Sequence, residues 1–380
     1  MFQNHQQLLL FILSSAFVAS THAQTVLDDT IMHNGLEREY RLYVPDSYDG
    51  SEPVPLVFNL HGFGIHNHEQ EVYADLRAIA DTANFIIVLP NGTLDDGGYR
   101  FWNAFGIPGL DDLGFLVSLI DTLSAEYAID QDRIYSTGMS LGGMMSYELA
   151  CYASERFAAI ASVTGTMLPT RLGGCSPTHA MPVLQIHGTE DPIIPYEGNE
   201  NMVGVEQVLG HWLQYDLCEE DPMITALPDL DPDDGSTVEH HVFACELQDT
   251  AVELYKVIGG GHTWPGSVIN NPGTNHDFDA SIAIWEFFLR FDLEGLTTTA
   301  PVMNSGDAIE IFPNPSSEHF TLRARDAAYR EVTVIDSRGS IVLRSSSTAT
   351  ETPIMIGTPG LYTVIVQEDA GSSIHRVVRH

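Results

Sequence analysis

The chain has 380 residues, 44% of them hydrophobic, and a formal net charge of −36 from 52 acidic and 16 basic side chains. That length admits two domains, and the apolar content excludes a mainly disordered chain. The acidic balance excludes nucleic acid and anionic membrane surfaces as partners. It is also uneven: residues 24–300 carry 43 Asp/Glu against 9 Lys/Arg, whereas residues 301–380 carry 9 against 7. Lys256 is the only lysine, which accords equally with a saline habitat and with simple solvation of an acidic surface.

At the N-terminus, "LLLFILSSAFVAS" followed by Thr21-His22-Ala23 reads as a secretory signal peptide cut after Ala23, although its first residues lack Lys and Arg. An uncleaved anchor is the alternative, but the run is short for a bilayer span. No later segment is long and apolar enough to span, so the mature protein is expected to be soluble. The four cysteines, Cys151, Cys175, Cys218 and Cys245, show no C-x-x-C spacing. An even count behind a signal peptide favours two disulfides over metal ligation, and proximity favours Cys151–Cys175 and Cys218–Cys245 among three possible connectivities.

Past the leader, "TIMHNGLEREYRLYVP" predicts a hairpin turning at Asn34-Gly35. The apolar run "PLVFNL" leads into the glycine loop "HGFG", and "FIIVLPNG" is a second buried strand behind the helical pattern "VYADLRAIADTA". Asp111 or Asp112 is placed to cap the helix "LGFLVSLIDTLSAEY". The strand "RIYSTG", the runs "FAAIASVTG", "MPVLQIHG" and "AVELYKVIGGG", and the helix "ASIAIWEFFLRF" follow. Apolar strands alternating with helices predict a parallel sheet covered on both faces. Residues 296–308 form a polar linker without periodicity. Beyond it, "IEIFPNP", "EVTVIDSRGSIVLR" and "GLYTVIVQE" alternate over short runs, which predicts a small β-sandwich over 309–380.

"GMSLG", residues 138–142, fits G-x-S-x-G. In that motif a serine sits on a sharp strand-to-helix turn, and the glycines remove side chains that would collide. Ligands of open α/β sheets collect at the carboxyl ends of strands. Three such ends carry Ser140, Asp191 and His262, in the chain order expected of an α/β-hydrolase. A neutral serine needs a base, so His262 would take its proton, and Asp191 would fix the imidazole tautomer. The oxyanion would be held by the Leu141 N–H and by one from residues 61–64, with Phe63 preferred over Gly62; such a donor is worth about 3 kcal/mol. Trp102 and Trp264 are candidates to line the acyl pocket, with core packing as the competing role. No cofactor or metal is expected. "DLDPDDGST" misses a calcium loop because Gly235 falls one place late and His240 stands at the closing position, and His61, His66 and His68 make no zinc spacing.

Together "LHGFG", "RFWNA", "LDDLGFL", "GMSLGGMMSYELAC", "FAAIASVTG", "IHGTEDPIIPY", "LPDLDPDDGSTV" and "GGGHTWPG" resemble the secreted esterases of the polyhydroxybutyrate depolymerase/feruloyl esterase family over about residues 30–291. The resemblance implies that Ser140, Asp191 and His262 form a triad and that both cysteine pairs are bridged. Leu141 replaces the asparagine that often follows the family's nucleophile, but its backbone N–H is unaffected. "FPNPSS", "VIDSRGSIV", "PGLYTVIV" and "IHRVVRH" resemble the sorting domain of type IX secretion cargo. A carbohydrate-binding module is the rival there, but the segment has no Trp for sugar stacking.

The expected organisation is therefore a signal peptide (1–23), a lid-less α/β-hydrolase domain (24–295), a linker (296–308) and a sorting domain (309–380). The expected function is a secreted serine esterase acting on polymeric or polymer-attached esters and exported by the type IX machinery. Feruloyl or acetyl esters of xylan and poly(3-hydroxybutyrate) are both open as substrates. A serine peptidase on the same fold, or a surface-binding protein with an inactive triad, are the alternatives.

Overall fold

The computed structural model describes residues 25–247, 250–293, 295–296, 309–312, 319–324, 330–336, 341–357, 360–368 and 371–379. The signal-peptide segment and nearly all of the linker lie outside the described residues.

The chain opens with β1 (Thr25–His33) and β2 (Leu36–Val44), antiparallel about Asn34-Gly35. Both turn residues have positive φ, 49° and 81°, as the tight turn requires. Then come β3 (Val54–Leu60), α1 (Asn67–Tyr73), α2 (Arg77–Ala83), β4 (Ile86–Pro90) and a short hairpin of β5 (Thr93–Leu94) and β6 (Arg100–Phe101). Next are α3 (Asp112–Glu126), β7 (Ile129–Met139), α4 (Leu141–Tyr152), β8 (Ala159–Val163), α5 (Pro169–Leu172), β9 (Val183–Gly188) and α6 (Val205–Tyr215). The series ends with β10 (Met223–Ala226), β11 (Thr237–Phe243), β12 (Val252–Ile258) and α7 (Ala280–Phe288).

Ten of these strands make one sheet in the order β1-β2-β4-β3-β7-β8-β9-β12-β11-β10. The six central strands are parallel, and antiparallel pairs extend both edges. Alternate residues feed opposite layers, as the strand period of two dictates. Leu56, Phe58 and Leu60 of β3 pack with Phe115, Leu119 and Met145 of α3 and α4, whereas Val57 packs on the other face with Ile79 of α2 and Trp285 of α7. Two covered faces explain why "PLVFNL" is apolar at every position but Asn59. Asp111 is the N-cap of α3, accepting from Gly114 N at 2.9 Å. Asp112 instead turns inward to a buried ion pair with Arg38 at 2.6 Å.

Both disulfides form, Cys151–Cys175 and Cys218–Cys245. The acidic loop at 229–236 is closed by its own groups, with Asp234 accepting from Ser236 and from the His276 amide. Among the described residues no helix is long and apolar enough to cross a membrane.

Toward the C-terminus, β13 (Phe291–Asp292) and β14 (Gly295–Leu296) pair as a small hairpin. A three-stranded sheet contains β15 (Ile309–Phe312), β16 (Phe320–Ala324) and β19 (Glu351–Ile354). A four-stranded sheet contains β17 (Arg330–Asp336), β18 (Ile341–Ser347), β20 (Gly360–Glu368) and β21 (Gly371–Arg379). Phe320, Leu322 and Ile354 of the first sheet share one core with Val332, Val334, Val364 and Val366 of the second, so the two form a sandwich.

Candidate active site

Ser140 lies between β7, the strand at the centre of the parallel set, and α4. Its backbone is held at φ 55°, ψ −117°, a conformation that a residue with a side chain rarely adopts. Neighbouring glycines make the turn possible. A Cβ on Gly142 would meet the Leu60 carbonyl oxygen at 2.1 Å, and one on Gly138 would meet backbone of Leu60 and Gly142 at 2.6 Å. The Ser140 amide donates to Val163 O at 2.8 Å, fastening the elbow to β8.

Asp191 follows β9 and His262 follows β12, on neighbouring strands at the same sheet edge. Their loops are bonded to each other, through Thr189 N to Val257 O and Glu190 N to Gly260 O. His262 Nδ1–H donates to Asp191 Oδ2 at 2.7 Å, so the proton sits on Nδ1 and Nε2 is left as an acceptor. Asp191 Oδ1 accepts from the amides of Ile193 (2.8 Å) and Ile194 (2.9 Å). Burial alone would push the Asp191 carboxyl up. The ring N–H groups that His187 and His262 direct at it outweigh burial and hold the group well below the usual carboxylate range.

His187 was not singled out by its sequence. It is fully enclosed, accepts at Nδ1 from Gln185 Nε2 (2.9 Å), and directs its Nε2–H to Ile194 O (2.9 Å) and Asp191 Oδ2 (3.4 Å). Gln185 in turn accepts from the Tyr147 hydroxyl on α4 at 2.6 Å. A buried chain of hydrogen bonds thus runs from the helix behind Ser140 through Gln185 and His187 to the peptide of Ile194, whose amide donates to the carboxylate behind His262. Its only sequence trace is a run of polar residues at alternate positions of an otherwise apolar strand.

The glycine loop after β3 lies against the elbow, since a Cβ on Gly62 would fall 3.5 Å from Ser140 Cβ. Leu141 is the first residue of α4, where the helix offers no carbonyl to its N–H. Among the described residues, the amides of Leu141, Gly62 and Phe63 have no intramolecular acceptor. His61 anchors the loop by donating from Nδ1 to Gly62 O (2.7 Å) and accepting the Gly92 amide at Nε2 (2.9 Å). Burial lowers its pKa to about 4, so the ring is neutral and fits this pattern.

Trp102 and Trp264 depart from the expected substrate-facing role. They are 0% and 1% exposed, so neither has a face to offer a substrate. Trp102 donates Nε1–H to His61 O at 2.9 Å and packs 5.0 Å from the His61 ring, bracing the loop from behind. Trp264 donates Nε1–H to Ser281 on α7 at 3.1 Å, and its amide bonds the Tyr73 hydroxyl on α1, which fixes the loop bearing His262. Indoles with engaged N–H groups are favoured in the interior, and both loops need such an anchor.

Comparisons with known proteins agree with this architecture. Residues 113–222 match the family described as phospholipase/carboxylesterase, and residues 310–380 match the secretion system C-terminal sorting domain. NocK of Nocardia uniformis subsp. tsuyamanensis, which carries an esterase name, is 30% identical over 257 residues, 61% of this chain and 72% of that protein. Feruloyl esterase C of Emericella nidulans is 32% identical over 167 residues, 42% of this chain and 57% of that protein. The bifunctional acetylxylan esterase/xylanase XynS20E of Neocallimastix patriciarum is 28% identical over 177 residues, 47% of this chain and 25% of that protein. With its α/β sheet, its serine elbow and these relatives, the chain belongs to the phospholipase/carboxylesterase family of α/β-hydrolase esterases and ends in a secretion-system sorting domain.

Proposed function

We propose that the protein is a secreted serine esterase that cleaves esters carried on a polymer, with Ser140, His262 and Asp191 as its triad. Ser140 Oγ attacks the ester carbonyl carbon while its proton passes to His262 Nε2. The amides of Leu141 and Phe63 hold the resulting oxyanion. As the C–O bond to the alcohol breaks, His262 returns the proton to the leaving oxygen. Water then repeats the sequence on the acyl-enzyme, releasing the acid and restoring the Ser140 hydroxyl. Asp191 stays ionised throughout and stabilises the imidazolium. The observation that carries this assignment is the 2.7 Å bond fixing the His262 tautomer, on the sheet edge where Ser140 is held at positive φ.

Action on a polymer is supported by the connection between β8 and β9, where related hydrolases insert a cap. Here it contains only the one-turn α5 and is tied down by Cys151–Cys175. Esters of xylan are the preferred class, because two relatives are named for feruloyl and acetylxylan esters. Poly(3-hydroxybutyrate) is the competing polymer. The sorting domain and disulfides support export to the medium or cell surface, through the type IX machinery.

The test is turnover of methyl ferulate, acetylated xylan and poly(3-hydroxybutyrate) film by the wild type and by Ser140→Ala. Hydrolysis of the first two that vanishes in the variant is expected. Near-normal turnover by Ser140→Ala overturns the triad, and a preference for the film overturns the xylan assignment.

A further inference from the structure

A cleft of about 410 Å³ opens between the β1–β2 hairpin and the start of α1, beside β6. Its lining comes from residues 28–100, outside the segment that matches the esterase family. The floor is buried and polar: Tyr40, Asn67 and Asn91 are 2%, 4% and 6% exposed. We infer that this cleft is a second binding site, separate from the nucleophile, for one neutral pyranose unit of a polysaccharide, held between the Asn67 carboxamide and the Glu39 carboxylate.

Asn91 sets both groups in place. Its Oδ1 accepts the Asn67 backbone amide at 2.9 Å, and its Nδ2–H donates to Glu39 Oε2 at 3.0 Å. Asn91 is itself pinned, its amide donating to Glu39 O (2.8 Å) and its carbonyl accepting from Arg38 (3.2 Å). Glu39 Oε2 also accepts from Arg100 at 2.6 Å. Asn67 Oδ1 accepts the His68 amide at 2.8 Å, which settles the orientation of the carboxamide. Each side chain is therefore anchored by one polar atom and keeps the other to spare. Among the described residues, Asn67 Nδ2 has no acceptor and is not sealed from the cleft, and Glu39 Oε1 has no donor. A donor on a buried side chain is costly to leave unmet, and a bound hydroxyl would meet it. Because both groups are fixed before binding, the ordering cost is low.

The chemistry of the pair selects the ligand. A hydroxyl both donates and accepts, so one sugar hydroxyl can take the Asn67 N–H while its neighbour donates to Glu39. An anion would face Asp28, Asp29 and Glu39. A cation would face the Asn67 N–H, and two of the three carboxylates are already paired, Asp28 with Arg41 and Glu39 with Arg100. Among the described residues no group of three His, Cys, Asp or Glu side chains could hold a metal ion. Position completes the argument. Tyr40, next to Glu39, pairs with Pro90 at the carboxyl end of β4, so the cleft opens on the sheet edge that carries Ser140. In the sheet β2 stands three places from β7, about 14 Å at the usual strand spacing. A polysaccharide reaching over that interval would be anchored away from its ester; this link alone rests on the esterase reading, whereas sugar binding does not.

The experiment measures binding of unesterified xylohexaose by calorimetry in the full chain carrying Ser140→Ala. Asn67→Leu, which removes the donor, is expected to weaken binding about tenfold, the effect of one lost hydrogen bond. Glu39→Gln, which removes the charge from the acceptor, is expected to weaken it about fivefold. Circular dichroism checks that each variant is folded. Glu39 lies on the exposed rim, so its variant decides the matter if Asn67→Leu does not fold. Saturating methyl ferulate is expected to leave xylohexaose binding unchanged. No binding by the parent overturns the inference, and so does binding within twofold of the parent in either folded variant. Displacement by methyl ferulate also overturns it, because the sugar would then lie in the ester-cleaving site. Failure of the triad would show instead as turnover by Ser140→Ala, whatever residues stand at 39 and 67.

Discussion

The N-terminal region, through Leu293, and the C-terminal sandwich solve the same folding problem with different means. The first builds three apolar clusters around a ten-stranded sheet and holds both disulfides. The sandwich has one small core among its described residues and no cysteine. Charge divides the same way: 43 acidic against 9 basic residues in 24–300, but 9 against 7 in 301–380. A large core tolerates the strain at Ser140 and the burial of Asp191 and His187, because surrounding contacts over-determine those residues. A small sandwich has no such reserve. The esterase family match falls in the first region and the sorting-domain match in the second.

The sharpest way to break that division is to disable each region separately. Ser140→Ala and His262→Ala should each lower ester turnover by roughly four to six orders of magnitude, since nucleophile and base act as one unit. Circular dichroism should be unchanged, and so should export. Conversely, a chain of residues 24–300 should fold and hydrolyse methyl esters at the full-length rate, while the natural precursor without 309–380 should stay inside the cell. Loss of turnover on that truncation would tie the sandwich to catalysis.

The chain of bonds behind Asp191 is the next target. His187→Leu removes the hydrogen bond to Ile194 O, worth about 0.5–1.5 kcal/mol, together with the N–H that faces Asp191 Oδ2 at 3.4 Å, so kcat should fall roughly two- to tenfold. The acidic limb of the kcat/KM profile should move as well. An unchanged pH profile would reduce His187 to a packing residue. Removing Cys151–Cys175 by paired Ala substitutions should cost about 2–4 kcal/mol, read from denaturant unfolding.

Smaller effects concern pH and salt. Burial lowers His61 to about 4, whereas an unfolded histidine titrates near 6.5. Between those values the unfolded chain binds a proton that the folded one refuses, so stability is lost as pH falls through that window. Protonation at Nε2 would also take away the Gly92 bond and loosen the glycine loop. Asp216 behaves oppositely. Burial raises it to about 7, despite bonds from the Met181 amide and the Thr250 hydroxyl. The stability gained from its neutral form is complete below the unfolded value near 4 and is lost as pH rises through 7. Asp216→Asn should therefore raise Tm by a few degrees at pH 8 and little at pH 5. Added salt should raise Tm of the 24–300 chain and hardly affect the sandwich, because screening relieves repulsion only where one sign dominates.

Much of this was legible in the amino-acid order. G-x-S-x-G fixes a glycine-flanked turn because only glycine fits where a Cβ would strike the Leu60 carbonyl. Alternating apolar strands and helices specify a covered parallel sheet, and Asn34-Gly35 specifies the first hairpin. The separate strand ends carrying Ser140, Asp191 and His262 could be ordered from sequence, since the fold places strand ends on one edge. Tertiary structure alone decided which aromatic residues face solvent. Trp102 and Trp264 sit beside site motifs in sequence, yet they are buried, the first with its indole N–H on the His61 carbonyl of the glycine loop and the second with its indole N–H on Ser281 of α7. Tyr99 sits in a polar turn and becomes an exposed partner of Phe63. His187 gains its place behind Asp191 only because β9 ends where the next loop folds back over it. Periodicity and turn chemistry act over a few residues and can be read locally. Burial and hydrogen-bond partners depend on segments distant in sequence, such as Trp264 and Tyr73, which only folding brings together.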